Sequence, residues 1–328
     1  MILKKTYIIL LLLLSQIAFS QDGIPVYSDY FSDNLYLLHP SMAGAASHNQ
    51  VRLTARKQWF DQTDAPNLQT LNVNARITDR SALGAIFFND KNGYHSQTGG
   101  YITYAHHLRF SRSDTDLNQL SFGLSLGLTQ SRFDESQFDP EDFDPIIAGI
   151  IQSTSYFNID AGVSYNYLDF SGHFTVKNLL FQNRSIYSEE YENNNQRKFL
   201  ISAAYAIGKL GALWTFEPSF LLQFSERTGE QAVDINFKAY RRMEFGRLWG
   251  GLSLRRGLDS SEVNGQNLQY FTPVVGVNLN KFMFAYTYSA QSGDVQFQSG
   301  GFHQITIGYD FLAGREEPYD CNCPAINK

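Results

Sequence analysis

The chain has 328 residues, with 26 lysines and arginines against 32 aspartates and glutamates, a formal net charge of −6. A chain of this acidity is not built to bind nucleic acid. Charged residues are only 18% of the total while aromatic residues are 15%, a composition that disfavours disorder. Beyond the N-terminus no apolar run approaches the roughly 20 residues of a membrane helix, which excludes a helical membrane protein.

The first twenty residues have the features of a secretory signal peptide. Lys4 and Lys5 precede an apolar run over residues 7–14, and small residues lie at 18 and 20, before Gln21. A buried helix is the alternative, but the run is short and its flank is cationic. We therefore expect residues 1–20 to be removed and the mature chain to be exported. No cysteine follows the cleavage site, so a lipid anchor is not expected there.

After about residue 50 the apolar residues recur with a period of two, which indicates strands. Residues 118–131 show this most clearly, with large apolar side chains at Leu120, Phe122, Leu124, Leu126 and Leu128 and small residues between them. The pattern predicts about fourteen strands over residues 51–312, joined alternately by short turns and mostly long polar loops such as 90–96. A soluble β-sandwich also alternates, but it does not explain this asymmetry of connections.

Long strands, an even strand number and aromatic residues near strand ends together favour a membrane barrel. We predict an all-β fold, a transmembrane antiparallel up-and-down β-barrel in the outer membrane. In such barrels the short turns are periplasmic, so both termini are expected on the periplasmic side. Because charge is costly on the lipid face, eight arginines are expected to point inward and to pair with Asp160, Asp234 or Glu217; they are Arg52, Arg56, Arg76, Arg80, Arg241, Arg242, Arg255 and Arg256.

Two segments lie outside the strand pattern. Residues 21–50 are rich in aromatics and are expected to form an irregular periplasmic or plug segment, with a mobile leader as the alternative. Residues 313–328 are expected to be a periplasmic C-terminal tail that contains Cys321 and Cys323. These two cysteines could form a short disulfide, link a partner, grip a metal weakly or lie incidentally in an unordered tail.

Catalytic and metal-binding motifs are weak. The acidic loop 134–144 has carboxylates that suit Ca²⁺, but it lacks the glycine and the alternate-residue spacing of a calcium loop, so a hydrated surface is favoured. His95, His106, His107 and His173 could serve a lipid hydrolase, but none lies in a recognisable motif. We therefore predict no enzyme activity, no catalytic residue, no metal and no cofactor.

Several sequence strings resemble the PorP/SprF family of outer-membrane proteins associated with type IX secretion and gliding. Residues 36–44 resemble its aromatic stretch leading to Asn-Pro-x-x-Ala-Gly, with His39 in place of the usual asparagine. Residues 56–60 and 65–71 are similar to its R-x-Q-W and A-P-x-x-Q-T-L strings, the most specific part of the match. Further similarity lies at 83–91, 99–105, 157–163, 176–179 and 303–307.

This resemblance implies a membrane partner for a secreted surface protein, often an adhesin, that carries a C-terminal sorting domain. Type IX translocon components and outer-membrane lipids are further expected partners. Arg56, Trp59, Phe60 and Pro66 flank the first outer loop and are the candidate partner-binding residues. Their alternative role is structural, with Trp59 in the aromatic belt and Pro66 setting the turn. The alternative function is a channel for small solutes.

Overall fold

The fold is described from a computed structural model. The structure describes residues 31–58, 65–111, 113, 115–137, 150–181, 195–209, 211–258, 269–292, 301–313 and 319–327. Fourteen antiparallel strands form a closed barrel, which confirms the predicted fold class. The helices among the described residues are three-residue 3-10 turns, and none is long and apolar enough to span a membrane.

The strands follow one another around the barrel in chain order. All but β7 and β8 have ten or more residues, enough for a tilted bilayer crossing of roughly 9–11 residues. Their bounds are β1 His48–Gln58, β2 Asn67–Arg76, β3 Ser81–Asn92, β4 His95–Arg109, β5 Asn118–Asp134, β6 Ile151–Tyr167, β7 Phe170–Lys177, β8 Lys198–Tyr205, β9 Trp214–Ser225, β10 Gln231–Met243, β11 Gly246–Gly257, β12 Gln269–Leu279, β13 Phe282–Ser292 and β14 Phe302–Ala313.

The barrel closes where β1 pairs with β14. Leu53 lies opposite Ile307 in this pair, and Thr54 lies opposite Thr306. Inside the barrel, the buried guanidinium of Arg52 donates to the Asp310 carboxylate at 2.6 Å across the same seam. Closure pairs the edges that an open sheet would expose, which is a requirement for a sheet that crosses a bilayer.

The two faces of the wall have opposite polarity. On β5, Phe122, Leu124 and Leu126 are exposed on the outer face, whereas Ser121 and Ser125, at the alternate positions, are buried in the lumen. A water-soluble protein would bury the apolar face and expose the polar one. The observed arrangement is the one expected when the outer face contacts lipid.

Short connections gather at one end of the barrel, which we call the turn end. They include residues 168–169, 244–245 and 280–281, whereas the opposite loop end has the connections 59–66, 135–150, 178–197, 258–268 and 293–301. One predicted long loop, 90–96, is instead a tight hairpin between Asn92 and His95. Gly93 adopts a φ of 60°, and Asn-Gly is a favoured hairpin dipeptide. The β8–β9 connection, 206–213, is longer than the tight turn expected there.

Aromatic side chains are concentrated on the outer wall near the turn end. Tyr165 and Tyr167 stack with ring centroids 6.3 Å apart, and Trp214 and Phe216 stack at 6.2 Å. The Arg241 guanidinium lies 5.3 Å from the Trp214 ring. Rings of this kind mark the membrane–water interface, where an apolar body meets a polar edge.

Candidate functional site: a plugged lumen

Residues 31–47, which we call the luminal plug, lie inside the barrel toward the turn end. All of them except Leu35 are buried. The plug contacts β2 to β8 and β10 through hydrogen bonds and close packing, and Phe31 and Leu38 belong to buried apolar clusters with residues of β9 and of β11 to β13. It therefore fills the bore rather than lining one wall. The preceding residues, including the predicted signal peptide, lie outside the described residues.

A buried charge cluster holds the start of the plug against β9 and β10. The Asp33 carboxylate accepts hydrogen bonds from the Lys238 ammonium and, at 2.8 Å, from the Tyr240 hydroxyl. Lys238 also lies 2.9 Å from the Glu217 carboxylate. All four side chains are buried. Lys238 compensates both carboxylates, and Asp33 accepts its two hydrogen bonds only when the plug is in this position, so the cluster strongly favours one position of the plug.

His39 joins the middle of the plug to β7 and β8. Its Nδ1 lies 2.8 Å from the Thr175 hydroxyl and its Nε2 lies 2.8 Å from the Ser202 hydroxyl. The ring stacks on His173 at a centroid distance of 4.9 Å. The Lys177 ammonium donates to the carbonyl of Leu37 nearby, at 3.0 Å. Burial, reinforced by His173 and Lys177, holds the pKa of His39 well below its ordinary value.

Pro40 and Ser41 pack directly on the backbone of the barrel wall. A Cβ atom on Gly123 would lie 2.2 Å from the Pro40 carbonyl carbon and the Ser41 nitrogen, and one on Gly162 would lie 3.1 Å from the Pro40 ring. Only glycine at 123 lets the plug approach this closely. The Ser41 hydroxyl then lies 2.6 Å from the Ser164 hydroxyl, which fixes the plug against β6.

Gly44 ends this part of the plug in a conformation that favours glycine. Its φ is 64°, and its N–H donates to the Asn74 side chain at 2.9 Å. Its carbonyl accepts two hydrogen bonds from the Arg76 guanidinium, at 3.0 and 2.8 Å. Residues 36–44, which resemble the family string, thus form the centre of the plug. Within them, His39, Pro40 and Gly44 each have a distinct contact with the barrel wall.

Residues 319–327 of the C-terminal tail cover the plug at the turn end. Cys321 and Cys323 form a disulfide, so their sulfurs are not available for a partner or a metal, and the described tail is packed rather than unordered. Tyr319, both cysteines and Ile326 pack on Met42 and Ala45 of the plug. The Ser47 N–H donates to the Ile326 carbonyl at 2.8 Å. The tail is therefore a second layer of closure.

The candidate partner-binding residues lie at the loop end. Arg56 is buried in the lumen, with its guanidinium 5.1 Å from the Phe302 ring. Pro66 is buried, and its carbonyl accepts the Gln58 N–H at 2.9 Å, which closes the base of the first loop. Trp59 and Phe60 lie outside the described residues. Arg56 and Pro66 thus frame the connection between β1 and β2 at the loop end, and a role in partner binding stays a prediction.

The expected arginine pairs are only partly correct. Arg255 does bind Asp234, with two bonds at 2.6 and 2.8 Å. The expectation was wrong for Glu217, whose partner is Lys238, and for Asp160, whose described partner is Lys177 at 4.0 Å. Lys238 and Lys177 thus lie beside the two carboxylates where an arginine was expected. Arg80, Arg241, Arg242 and Arg256 are exposed at the ends of the barrel, where water or headgroups solvate them.

Two of the candidate histidines, His107 and His173, lie against the plug. His107 contacts the Ser121 hydroxyl at 2.8 Å and the Ala43 carbonyl at 3.0 Å, and His173 contacts the Ser164 hydroxyl at 2.7 Å. Neither ring is hydrogen-bonded to a carboxylate in the described part of the chain, as a hydrolase triad requires. Within that same part, no cluster of three metal-ligating side chains occurs, and most of the acidic loop 134–144 lies outside it.

The environment of His39 predicts that acid loosens the plug. A released plug binds a proton at His39 near its ordinary pKa of 6.5, but the buried ring does not. The plug is therefore most stable above that pH and loses stability below it, with a slope that approaches about 1.4 kcal/mol per pH unit well below pH 6.5. We expect hydrogen exchange of residues 31–47, corrected for intrinsic rates, to rise about fivefold between pH 6.5 and 5.5, because His39 of the released plug is already half protonated at pH 6.5. His39→Asn should abolish this dependence, and an unchanged profile in that variant would assign it to other groups.

The architecture and the lumen define the class of protein. A closed barrel with an apolar outer face, an aromatic belt and a polar lumen is an outer-membrane β-barrel, here one filled by its own N-terminal segment. The chain belongs to the PorP/SprF family: the family model described as type IX secretion system membrane protein PorP/SprF matches residues 19–309. This confirms the family that the sequence strings indicate.

Solved structures of outer-membrane barrels resemble the chain in shape. The TodX monoaromatic hydrocarbon channel deltaS2 mutant matches with 10% identity and a TM-score of 0.49, covering 85% of this chain and 94% of that one. Omp33 of Acinetobacter baumannii matches with 8% identity and a TM-score of 0.47, covering 82% and 100% respectively. No curated protein matches the chain significantly.

Proposed function

We propose that the protein is a non-enzymatic partner for a type IX exported surface protein, an adhesin-like cargo with a C-terminal sorting domain. The barrel binds this cargo and helps to deliver or anchor it at the cell surface. Family membership supports a place in the secretion system. The luminal plug supports binding rather than conduction, because a solute channel needs an open bore and this lumen is filled by residues 31–47.

The proposal includes an orientation. The turn end, with both described terminal segments, faces the periplasm, and the loop end faces outward, as is usual for outer-membrane barrels. Cargo then meets the loop end, where Arg56, Trp59, Phe60 and Pro66 flank the first loop. Translocon components are further partners, and they can reach the wall or the periplasmic end.

We expect one large exported protein to copurify with the tagged barrel from native outer membranes in mild detergent. Mass spectrometry identifies that protein and shows whether it retains a C-terminal sorting domain. Replacing residues 59–64 by a glycine-serine segment of equal length should reduce recovery at least tenfold if this loop is the contact. The matched control replaces residues 227–230, another loop-end connection.

A channel is the alternative function, and the polar lumen wall is the observation that favours it. The purified barrel in a planar bilayer discriminates between the two. A silent barrel that recovers cargo agrees with the proposal. A barrel that conducts ions steadily and recovers no exported protein contradicts it and establishes a channel.

A further inference from the structure

The longest strands of the barrel stand beside the shortest. β5 and β6 have 17 residues each, whereas β7 and β8 have 8 each. β5 and β6 stay paired along their whole length, up to the pair of Asp134 and Ile151 at the loop end. β7 pairs with β6 only over residues 161–167 of β6. The part of β6 nearest the loop end therefore extends well beyond its neighbour β7.

The chain turns away from β6 directly after β7. Asn178 adopts a φ of 55°, and the Leu179 N–H then donates to the Ile159 carbonyl at 2.9 Å. The next N–H, that of Leu180, donates to the side chain of Asn158 at 3.1 Å rather than to the backbone of β6. On the β7 side, residues 151–157 thus have no neighbouring strand in the described part of the chain. We call this side of residues 151–157 the open edge.

Alternate residues of β6 direct their backbone groups to the open edge. The Ile159 carbonyl faces β7, whereas the Ile150 carbonyl accepts a hydrogen bond from the β5 side. Because these directions alternate along an antiparallel strand, the N–H and C=O groups of Ile151, Ser153 and Ser155 face the open edge. Among the described residues these groups have no hydrogen-bond partner.

The open edge projects beyond the bilayer at the loop end. Leu128 and Phe157 lie opposite each other and are the last pair of exposed apolar side chains on the outer wall of β5 and β6 before it becomes polar. The next two outward pairs are polar on both strands, namely Gln130 with Ser155 and Arg132 with Ser153. This change from apolar to polar marks the surface of the bilayer, so residues 151–155 lie in water.

The open edge lacks the features that usually protect an exposed strand. Such strands recruit other chains through their unpaired backbone groups, and proteins blunt them with charged residues, proline or bulges. Residues 151–157 read Ile-Gln-Ser-Thr-Ser-Tyr-Phe, with no charge and no proline, and their pairing with β5 is continuous. Isoleucine, threonine, tyrosine and phenylalanine all favour strands. This edge is therefore suited to accept a further strand.

We propose that the open edge binds an extended segment of the exported cargo as an added strand, antiparallel to β6 and in line with β7. The inference rests on the proposed function, which brings the cargo to the loop end. In this mode of recognition the backbone hydrogen bonds provide the affinity, so the segment is defined first by its extended conformation. Exposed Ile151 and Phe157 favour apolar residues opposite them.

A second copy of the barrel fits this edge less well than a separate protein does. Two copies stand the same way up in one membrane, so their β6 strands would run parallel to each other. A parallel pair is the less stable ladder. A segment of an exported protein has no such restriction and can run antiparallel to β6.

Ser153→Pro tests the added strand through the backbone. It removes an N–H that faces the open edge and leaves the bonds between β5 and β6 in place. Recovery of the exported protein with the tagged barrel from native outer membranes should fall at least tenfold. Ser153→Ala shortens the same side chain but keeps the N–H, so its recovery should match that of wild type. Heat-modifiable mobility on gels verifies that each barrel is folded.

The outcomes separate this inference from the proposed function. Equal recovery by wild type and Ser153→Pro overturns the added strand and leaves the proposed function intact. An equal loss in Ser153→Ala assigns the contact to the side chain and also overturns it. A second copy of the barrel that wild type retains and Ser153→Pro loses overturns cargo as the occupant. Absence of any exported protein from the wild-type preparation contradicts the proposed function itself.

Residue-resolved hydrogen exchange tests the edge with and without cargo. In the barrel alone, the amides of Ser153 and Ser155 should exchange at least a hundredfold faster than those of Gln152 and Thr154, which bond to β5. In the complex, Ser153 and Ser155 should slow at least tenfold while Gln152 and Thr154 stay unchanged. Protection of Ser153 and Ser155 in the barrel alone would mean that this chain covers its own edge, which overturns the proposal whatever the cargo does.

Discussion

Replacing Asp33 by alanine releases the start of the plug and leaves the barrel closed. Lys238 keeps Glu217 as a partner, 2.9 Å away, so the cost is that of the two hydrogen bonds that Asp33 accepts from Lys238 and Tyr240; bonds to charged groups contribute roughly 1.5–3 kcal/mol each, and we expect about 3 in all. A loss of that size raises the open population more than a hundredfold. Hydrogen exchange of residues 31–47 should therefore speed up by about that factor, while β5 and β6 keep their protection.

The matched control is Asp134→Ala, which removes a carboxylate from an exposed pair. Arg132 and Asp134 are 3.5 Å apart, and the Arg132 side chain is about half exposed. Pairs of this kind contribute roughly 0–1 kcal/mol. If Asp33→Ala exchanges no faster than Asp134→Ala in the plug, the charge cluster does not hold the plug in place.

Gly123→Ala should displace the centre of the plug by steric overlap. The new Cβ atom would lie 2.2 Å from backbone atoms of Pro40 and Ser41, which cannot rotate away as a side chain can. Overpacking of a core typically costs 1–3 kcal/mol, and we expect the upper end or more, about a hundredfold in exchange at residues 31–47. The barrel itself should keep its heat-modifiable mobility, because the added methyl group points into the lumen.

Gly172→Ala is the control for this change on the neighbouring part of the wall. Its Cβ atom would lie 3.4 Å from the Phe170 ring, an ordinary contact. Exchange in the plug should stay at the wild-type rate. If Gly123→Ala is equally silent, Pro40 and Ser41 do not pack on β5 in solution as they do in the structure.

The barrel could be predicted from sequence because the bilayer imposes a short-range rule. Each strand has one face in lipid and one in the lumen, so apolar and polar side chains alternate from residue to residue, as in Leu124, Ser125 and Leu126. The hairpin at Asn92 and Gly93 also had a local signal, which the polar character of residues 90–96 obscured.

The plug contacts could not be predicted in the same way, because their partners are far apart in the chain. Asp33 and Lys238 are separated by 205 positions, and His39 and Ser202 by 163. The alternation does place Lys238 on the polar face of β10. It does not predict which carboxylate lies at the same level inside the lumen. For the same reason an arginine was expected beside Glu217. The sequence of the cysteine pair likewise fits a disulfide, a partner link, a metal site or an unordered tail. The structure shows a disulfide that packs on Met42.

The contact between Ser47 and Ile326 has a consequence for the order of assembly. Ser47 precedes the first strand and Ile326 follows the last, and the seam between those strands joins residues as distant as Arg52 and Asp310. The tail makes all of these contacts only in a barrel in which β14 has paired with β1 and Met42 and Ala45 lie in the lumen as its packing surface. Its surface at the turn end is therefore displayed by finished molecules alone, and a truncated or unfilled barrel lacks it.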